Sequence, residues 1–240
     1  MNAELKDIIF LDIETVAISE NYSQLDDRMK VQWARKAGFF RRDEDQTDED
    51  LFNSRAGIYA EFGKIVSIAV GMFTESEGGE LGLRTKDFTS TDEAQLLTEF
   101  KKLLEKLGPA TKMCAHNGKE FDFPYMSRRM LINGISLPEP LNLSGKKPWE
   151  IPHLDTLELW KFGDYKHYTS LDLLATIFNI PTSKGVMDGS QVNEVYYKEK
   201  DLKKIAVYCV GDVIAVAQLY LRLKGLPLMH EKNITHAEHE

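Results

Sequence analysis

Three short stretches carry acidic side chains where a buried segment should hold none. In "IIFLDIETVAI" (8–18), Asp12 and Glu14 interrupt an apolar run that reads as a strand, where unpaired carboxylates are costly and normally depleted. Side chains alternate along a strand, so Asp12 and Glu14 project from one face and Ile13 from the other. Two such carboxylates either hold a divalent cation or mark an edge strand whose end has reached solvent. In "HNGKEFDFPY", Asn117 ends a short strand and Asp122 lies between Phe121 and Phe123. Strand ends are where α/β sheets commonly place ligands, while Pro124 in a first helical turn would make Asp122 or Phe123 a cap; Asp122 could do both. In "VYCVGDVIAV", Tyr208 and Asp212 stand one helical turn apart among residues that are apolar nearly all round. A buried Asp needs a cation or a basic partner, and no Lys or Arg lies within a helical turn of Asp212.

The elements that must position these residues can be read from periodicity. The first strand covers about residues 7–14 and is followed by a charge-rich insertion, about 19–60, expected to be partly helical from Met29 to Ala37 and flexible through the acidic run 43–50. "GKIVSIAVGMF" and "LGLRTKDF", separated by "TESEGGE", read as a β-hairpin. A helix should then start at Ser90 or Thr91, with Glu93 at capping-box spacing from Ser90, and stop at Gly108 and Pro109. A short strand, a helix over "FPYMSRRMLING", a proline-rich loop over 135–151, and helices over "DTLELWKFG", "SLDLLATIFNI" and "DLKKIAVYCVGDVIAVAQLYLRLKG" complete the order. Three antiparallel strands first, parallel additions later and helices throughout predict an α/β fold with a central mixed sheet flanked by helices.

With 240 residues, 42% of them hydrophobic, the chain suits one large domain; a core of about 7–223 and a flexible C-terminal tail of about 228–240 are expected. Cys114 and Cys209 lie in apolar segments, as buried thiols of a reducing compartment do. No uninterrupted run of about 18 apolar residues is present, and a cytoplasmic, unsecreted protein that avoids membranes is expected. The formal net charge of −8 argues against a general electrostatic grip on nucleic acid, though bound divalent cations can supply local positive charge. GxGxxG and GxxxxGK[ST] loops are absent.

Taken together, Asp12–Glu14 (DxE), Asn117 to Phe121–Asp122 (NxxxFD) and Tyr208–Asp212 (YxxxD) resemble, in order and in element type, the motifs of the DEDDy-type 3′-5′ exonucleases of the ribonuclease H-like (DnaQ-like) superfamily. The chain is most similar to the proofreading exonuclease domain of B-family DNA polymerases, in a stand-alone form and with a longer insertion after the first motif. The resemblance covers about residues 7–223. It implies hydrolysis of single-stranded DNA from the 3′ end, with nucleoside 5′-monophosphates as products. Catalysis would use two ions, Mg²⁺ or Mn²⁺, held by Asp12, Glu14, Asp122 and Asp212, and Tyr208 would orient the attacking water. A carboxylate set without Cys or His ligands suits these hard cations better than zinc.

The same resemblance places Thr15, Asn117 and Phe121 against the terminal nucleotides, and a core role for the Phe121 ring competes with stacking. Asp155 matches a further carboxylate of such enzymes and, more simply, a helix N-cap. His116, His153 and His167 lack metal spacing and suit surface or loop positions, and the pairs Arg128/Arg129, Lys146/Lys147 and Lys203/Lys204 could touch the phosphate backbone, although paired basics are ordinary on solvated faces. The catalytic pattern reads a phosphodiester and not a sugar, so RNA or short oligonucleotides are alternative substrates. A non-catalytic nucleic-acid-binding module would show a broken acidic set. An aspartyl phosphatase, suggested by "FLDIET", usually needs a second Asp where Glu14 stands.

Overall fold

The structure, a computed structural model, describes residues 3–43, 45–76, 78–164, 168–182, 185 and 187–237. His167 lies outside them. After a short helix α1 (Ala3–Lys6), the strands are β1 (Ile8–Ala17), β2 (Gly63–Glu75), β3 (Leu81–Thr89), β4 (Lys112–Ala115), β5 (Leu154–Asp155) and β6 (Ile234–His236). They form a six-stranded sheet in the order β5-β4-β1-β2-β3-β6. The β1–β2 and β2–β3 pairs are antiparallel, whereas β4, β5 and β6 join in parallel, the mixed sheet that the element order predicts.

Alternation along β1 sorts the two layers. Ile9, Leu11 and Ile13 face a core with α4 (Glu93–Leu107) and α5 (Asp122–Ile132). Ile8 and Phe10 face the last long helix, α9 (Leu202–Leu223), through Cys209, Val213 and Val216. By length and composition α9 is apolar enough to cross a membrane, yet it packs over the sheet. A core helix covered on most sides carries the same signal. Gly71 of β2 lets α9 approach, since a Cβ there would sit 2.9 Å from the Val213 side chain. Helices α6 (Thr156–Lys161), α7 (Leu171–Ile177) and α8 (Val192–Glu194) lie along the path to α9.

The insertion is folded where flexibility was expected. It contains α2 (Asp27–Ala37) and α3 (Asp48–Arg55), and buries Trp33, Ala37, Leu51 and Phe52 against Ala17 and Phe62. The acidic run is part of the reason: Thr47 and Asp50 form a capping box, and Asp48, Glu49 and Asp50 occupy the first turn of α3, where the helix dipole favours negative charge. The Trp33 indole N–H donates to the Asp48 carbonyl at 2.7 Å, tying α2 to α3.

Other expectations are also corrected. Asp92, not Ser90 or Thr91, caps α4, accepting from the Gln95 amide at 3.0 Å; Glu93, the first helical residue, turns inward. Its carboxylate is gripped by both Nε and Nη2 of Arg129, so this arginine is a buried partner and not a solvated one. His153 is likewise buried, accepting from the Met113 amide and donating to the Pro140 carbonyl at 2.7 Å. Residues 228–237 are packed and not a loose tail: buried Met229 exchanges two backbone hydrogen bonds with the Gln218 amide, and β6 pairs with β3.

Candidate active site

Asp12 and Glu14 leave β1 on the face covered by α9, opposite Ala69 and Ser67 of β2. The β1–β2 register shifts just after Glu14, a bulge of the kind that re-aims side chains beside functional sites. Glu14 is buried and Asp12 half-buried. Oxygens of both and the Cys209 Sγ lie within 4.8 Å of one another. The Cys209 thiol donates to the Asp12 carbonyl at 3.4 Å and faces Asp12 Oδ2 at 3.5 Å.

Asp122 arrives from the other side of β1. It is the first residue of α5 and Phe121 is the cap position, so its carboxylate is not an N-cap; it is buried and takes a hydrogen bond from the Ile13 backbone. The loop before it is tightly held. Asn117 adopts a left-handed φ of 63°, which Asn tolerates better than most residues, and a Cβ at Gly118 would fall 2.5 Å from the Ala115 Cβ. Asp155 explains the hold, accepting from the Asn117 amide at 2.9 Å and the Lys119 amide at 3.1 Å while its Oδ1 also caps α6 through Leu157 N at 2.9 Å. It is an N-cap, as expected, and in addition the anchor of the NxxxFD loop.

Tyr208 and Asp212 complete the group from α9, with the Tyr208 phenol hydrogen-bonded to Asp212. Electrostatics record the convergence. Burial first, then the charges of Glu14, Asp212 and Asp122, push the Asp12 carboxyl well above the usual carboxylate range. Glu14 is raised by burial, Asp212 and Asp122, and burial lifts Asp122 to about 7. The Tyr208 phenol is driven well above its ordinary value by burial and then by Asp212, Glu14 and Asp12. Carboxylates pressed together in this way fit divalent cations, whose charge offsets both repulsion and desolvation.

The three residues expected at the nucleotide end are placed less uniformly. Half-buried Thr15 follows the bulge and reaches the Tyr125 phenol. Half-buried Phe121 packs on Tyr125 with ring centroids 5.3 Å apart and against the α4–α5 core, so part of its ring is structural. Sequence reading did not foresee Cys209 beside Asp12, nor the largely exposed Tyr168, whose ring lies 6.3 Å from that of His116 while its phenol end is partly desolvated. Its phenol is raised by burial and by Asp122, Asp155 and Asp12. His116 is half-buried, bonded to Thr156 Oγ1 and the Thr169 carbonyl, and fixes that segment. A large apolar cavity of about 1060 Å³ lies on another face of α9, lined by Val207, Val210, Ile214 and Leu228, and contains none of the five acidic-site residues.

The raised carboxylates predict a stability signature. Their folded pKa values exceed their unfolded ones, so the folded state holds extra protons and stability falls as pH rises toward and through the folded values, by up to ~1.4 kcal/mol per pH unit for each proton held. Burial lowers His116, and His153 to about 4; these destabilise the fold on acidification below the ordinary histidine range, so the carboxylates are read cleanly above it. In EDTA the melting temperature should drop between about pH 6.5 and about pH 8, and Mg²⁺ or Mn²⁺ should restore more at the higher pH because cations replace protons. A melting temperature that is flat or rising over this window in EDTA would refute the electrostatic picture.

A family model described as a predicted 3′-5′ exonuclease related to the exonuclease domain of PolB matches residues 58–239. Asp122, Tyr208 and Asp212 fall inside the matched stretch, and Asp12 and Glu14 precede it. No curated protein matches the chain. Among solved structures, the family B DNA polymerase of the hyperthermophilic archaeon Pyrobaculum calidifontis is similar, with a TM-score of 0.53 and 14% identity over 90% of this chain and 24% of that one. At this identity the likeness is one of fold, and the present chain spans about a quarter of the polymerase's length.

Proposed function

The chain belongs to the family of predicted 3′-5′ exonucleases related to the exonuclease domain of PolB, and from that premise we propose that it hydrolyses single-stranded DNA from the 3′ end, releasing nucleoside 5′-monophosphates. The observation that carries the reading is the meeting of Asp12, Glu14, Asp122 and Asp212 with Tyr208, drawn from β1, the start of α5 and α9. The four carboxylates are the proposed ligands of two Mg²⁺ or Mn²⁺ ions. When bound, these supply polarisation of the phosphodiester and neutralisation of charge on the leaving 3′ oxygen.

The protein's own groups do the rest. With its pKa driven up, Tyr208 stays protonated at neutral pH and cannot serve as a base; its phenol is proposed to orient the attacking water while donating to Asp212. The Cys209 thiol, also pushed up by burial and by Asp12 and Glu14, remains a neutral donor toward Asp12. Asp155 keeps the Asn117–Lys119 backbone in place so that Asp122 enters at a fixed angle. Water adds to phosphorus and loses a proton to bulk solvent, the P–O3′ bond breaks, and the leaving 3′ oxygen takes a proton from solvent, so that protons balance.

The test is a time-resolved gel of 5′-labelled single-stranded DNA and matched RNA with Mg²⁺, Mn²⁺ or EDTA. A metal-dependent ladder shortening from the 3′ end is expected, on DNA ahead of RNA, slowed about 10- to 100-fold by Tyr208→Phe through lost water orientation. Faster RNA decay would change the substrate and keep the mechanism. Intact strands under every metal, with a folded protein, would refute the proposal.

A further inference from the structure

The chain carries a net charge of −8, an unfavourable field for a polyanionic strand approaching an acidic site. One stretch of the sequence is nevertheless basic without interruption by acids, although Asp26 and Asp27 precede it and the acidic run 43–50 follows it. Between Arg28 and Arg42 the sequence holds Arg28, Lys30, Arg35, Lys36, Arg41 and Arg42 and no acidic residue, all within the insertion. Where this stretch ends, Arg41, Arg42 and Arg55 converge on a cleft of about 470 Å³ completed by Gln46 and Asp43. Three arginines and one aspartate line it, and Asp48 adds a second carboxylate through Arg42. Arg42 spends Nη1 on Asp48 at 2.8 Å, an ion pair on exposed side chains, while Arg41 has no ion-pair partner among the described residues. Arg55 lies over the Phe40 ring at 5.4 Å, a cation-on-aromatic contact that helps to hold its guanidinium in place. Two residues before Arg41 in the sequence, Phe39 is 88% exposed, an open face of the kind on which unpaired bases stack.

The insertion is fixed to the acidic strand. Its core includes Ala17 of β1, the Gly57 backbone lies so close to Val16 that a Cβ would sit 3.2 Å away, and the Tyr125 phenol donates to the Gly57 carbonyl at 2.8 Å. Ala17 is three residues beyond Glu14, ~10 Å along a strand.

We propose that the Arg41–Arg42–Arg55 cleft binds a backbone phosphate of the nucleic-acid strand whose 3′ end is processed, so that the insertion is a substrate-holding arm. The position of the 3′ end rests on the function proposed above; the anion cleft itself does not. Arginine forks match phosphate oxygens in a way lysines do not.

The experiment compares wild type, Arg41→Gln and Arg41→Gln/Arg55→Gln, with Lys102→Gln on exposed α4 as a charge-matched control. Binding of a 5′-labelled long single strand is followed by fluorescence anisotropy in EDTA at several salt concentrations, and hydrolysis of that strand and of a trinucleotide is followed with Mn²⁺. The double variant should bind the long strand about tenfold more weakly, with a salt slope shallower by ~0.7 per lost phosphate contact. Its KM for the long strand should rise while kcat and trinucleotide hydrolysis hold. Exposed Arg41 alone should give a smaller shift in the same direction without altering the melting temperature. Unchanged long-strand binding, or an equal loss on the trinucleotide or in the control, would overturn the proposal. If wild type cleaves nothing yet binds strands with this arginine dependence, the cleft stands and the exonuclease reading falls.

Discussion

Asp12→Asn is expected to lower hydrolysis by about a thousandfold or more while leaving the metal-free protein at least as stable as wild type. The two effects share one cause. Asp12 stands where Glu14, Asp212 and Asp122 all act on it, so its negative charge costs stability in the absence of cations and is the charge to which cations would be drawn. Removing it relieves its repulsion with the other three. It also takes away a proposed ligand of the cations, whose chemistry would supply several kcal/mol of transition-state stabilisation, and each ~1.4 kcal/mol is a factor of ten in rate. An amide of the same shape keeps the packing against Cys209. Three readouts separate a functional charge from a structural one: the rate on labelled DNA, the melting temperature in EDTA, and the gain in melting temperature on adding Mn²⁺. The rate should collapse, the second hold or rise, and the third shrink. Activity within tenfold of wild type would remove Asp12 from the mechanism, and a large drop in the EDTA melting temperature would make it a structural residue.

Much of this arrangement was legible because its signals are local. A strand with period-2 alternation dictates that Asp12 and Glu14 share a face, and a helix dictates that Tyr208 and Asp212 do. What was not legible depends on tertiary partners. The Ser90–Glu93 spacing imitates a capping box, but Arg129 of α5 offers Glu93 two charged donors and draws it inward. Cys209 looked like any small core residue, and its place beside Asp12 follows from α9 crossing β1. Strands as short as β5 and β6 have too few residues for a pattern, and are stabilised by pairing with longer neighbours. The insertion misled through composition: its charge masks a small aromatic core in which Trp33 meets Phe52 and Phe62 at ring distances of 5.3 and 5.0 Å.

The Glu93–Arg129 pair shows how the site depends on contacts outside it. Both side chains are buried. Glu93 also accepts from the Ile65 amide at 2.7 Å and from Asn133, and Arg129 donates to the Ala60 carbonyl at 2.8 Å. One pair therefore joins α4, β2, the end of the insertion and α5, the helix that presents Asp122. Arg129→Met is expected to destabilise the protein by ~3–5 kcal/mol, since it strands a buried carboxylate without its cation. Asn133 and Ile65 cannot replace the lost charge. Glu93→Gln/Arg129→Met should recover a substantial part of that loss, because the neutral amide can still accept from Ile65 and no unpaired charge remains. Urea unfolding of the two single and one double variants gives the coupling energy directly. If Arg129→Met costs less than about 1 kcal/mol, the pair is no stronger than an exposed one, and α5 must be held by its apolar face alone. If the loss is as expected but hydrolysis by the surviving folded fraction stays normal, Asp122 is positioned by Asp155 and β1 without help from α4.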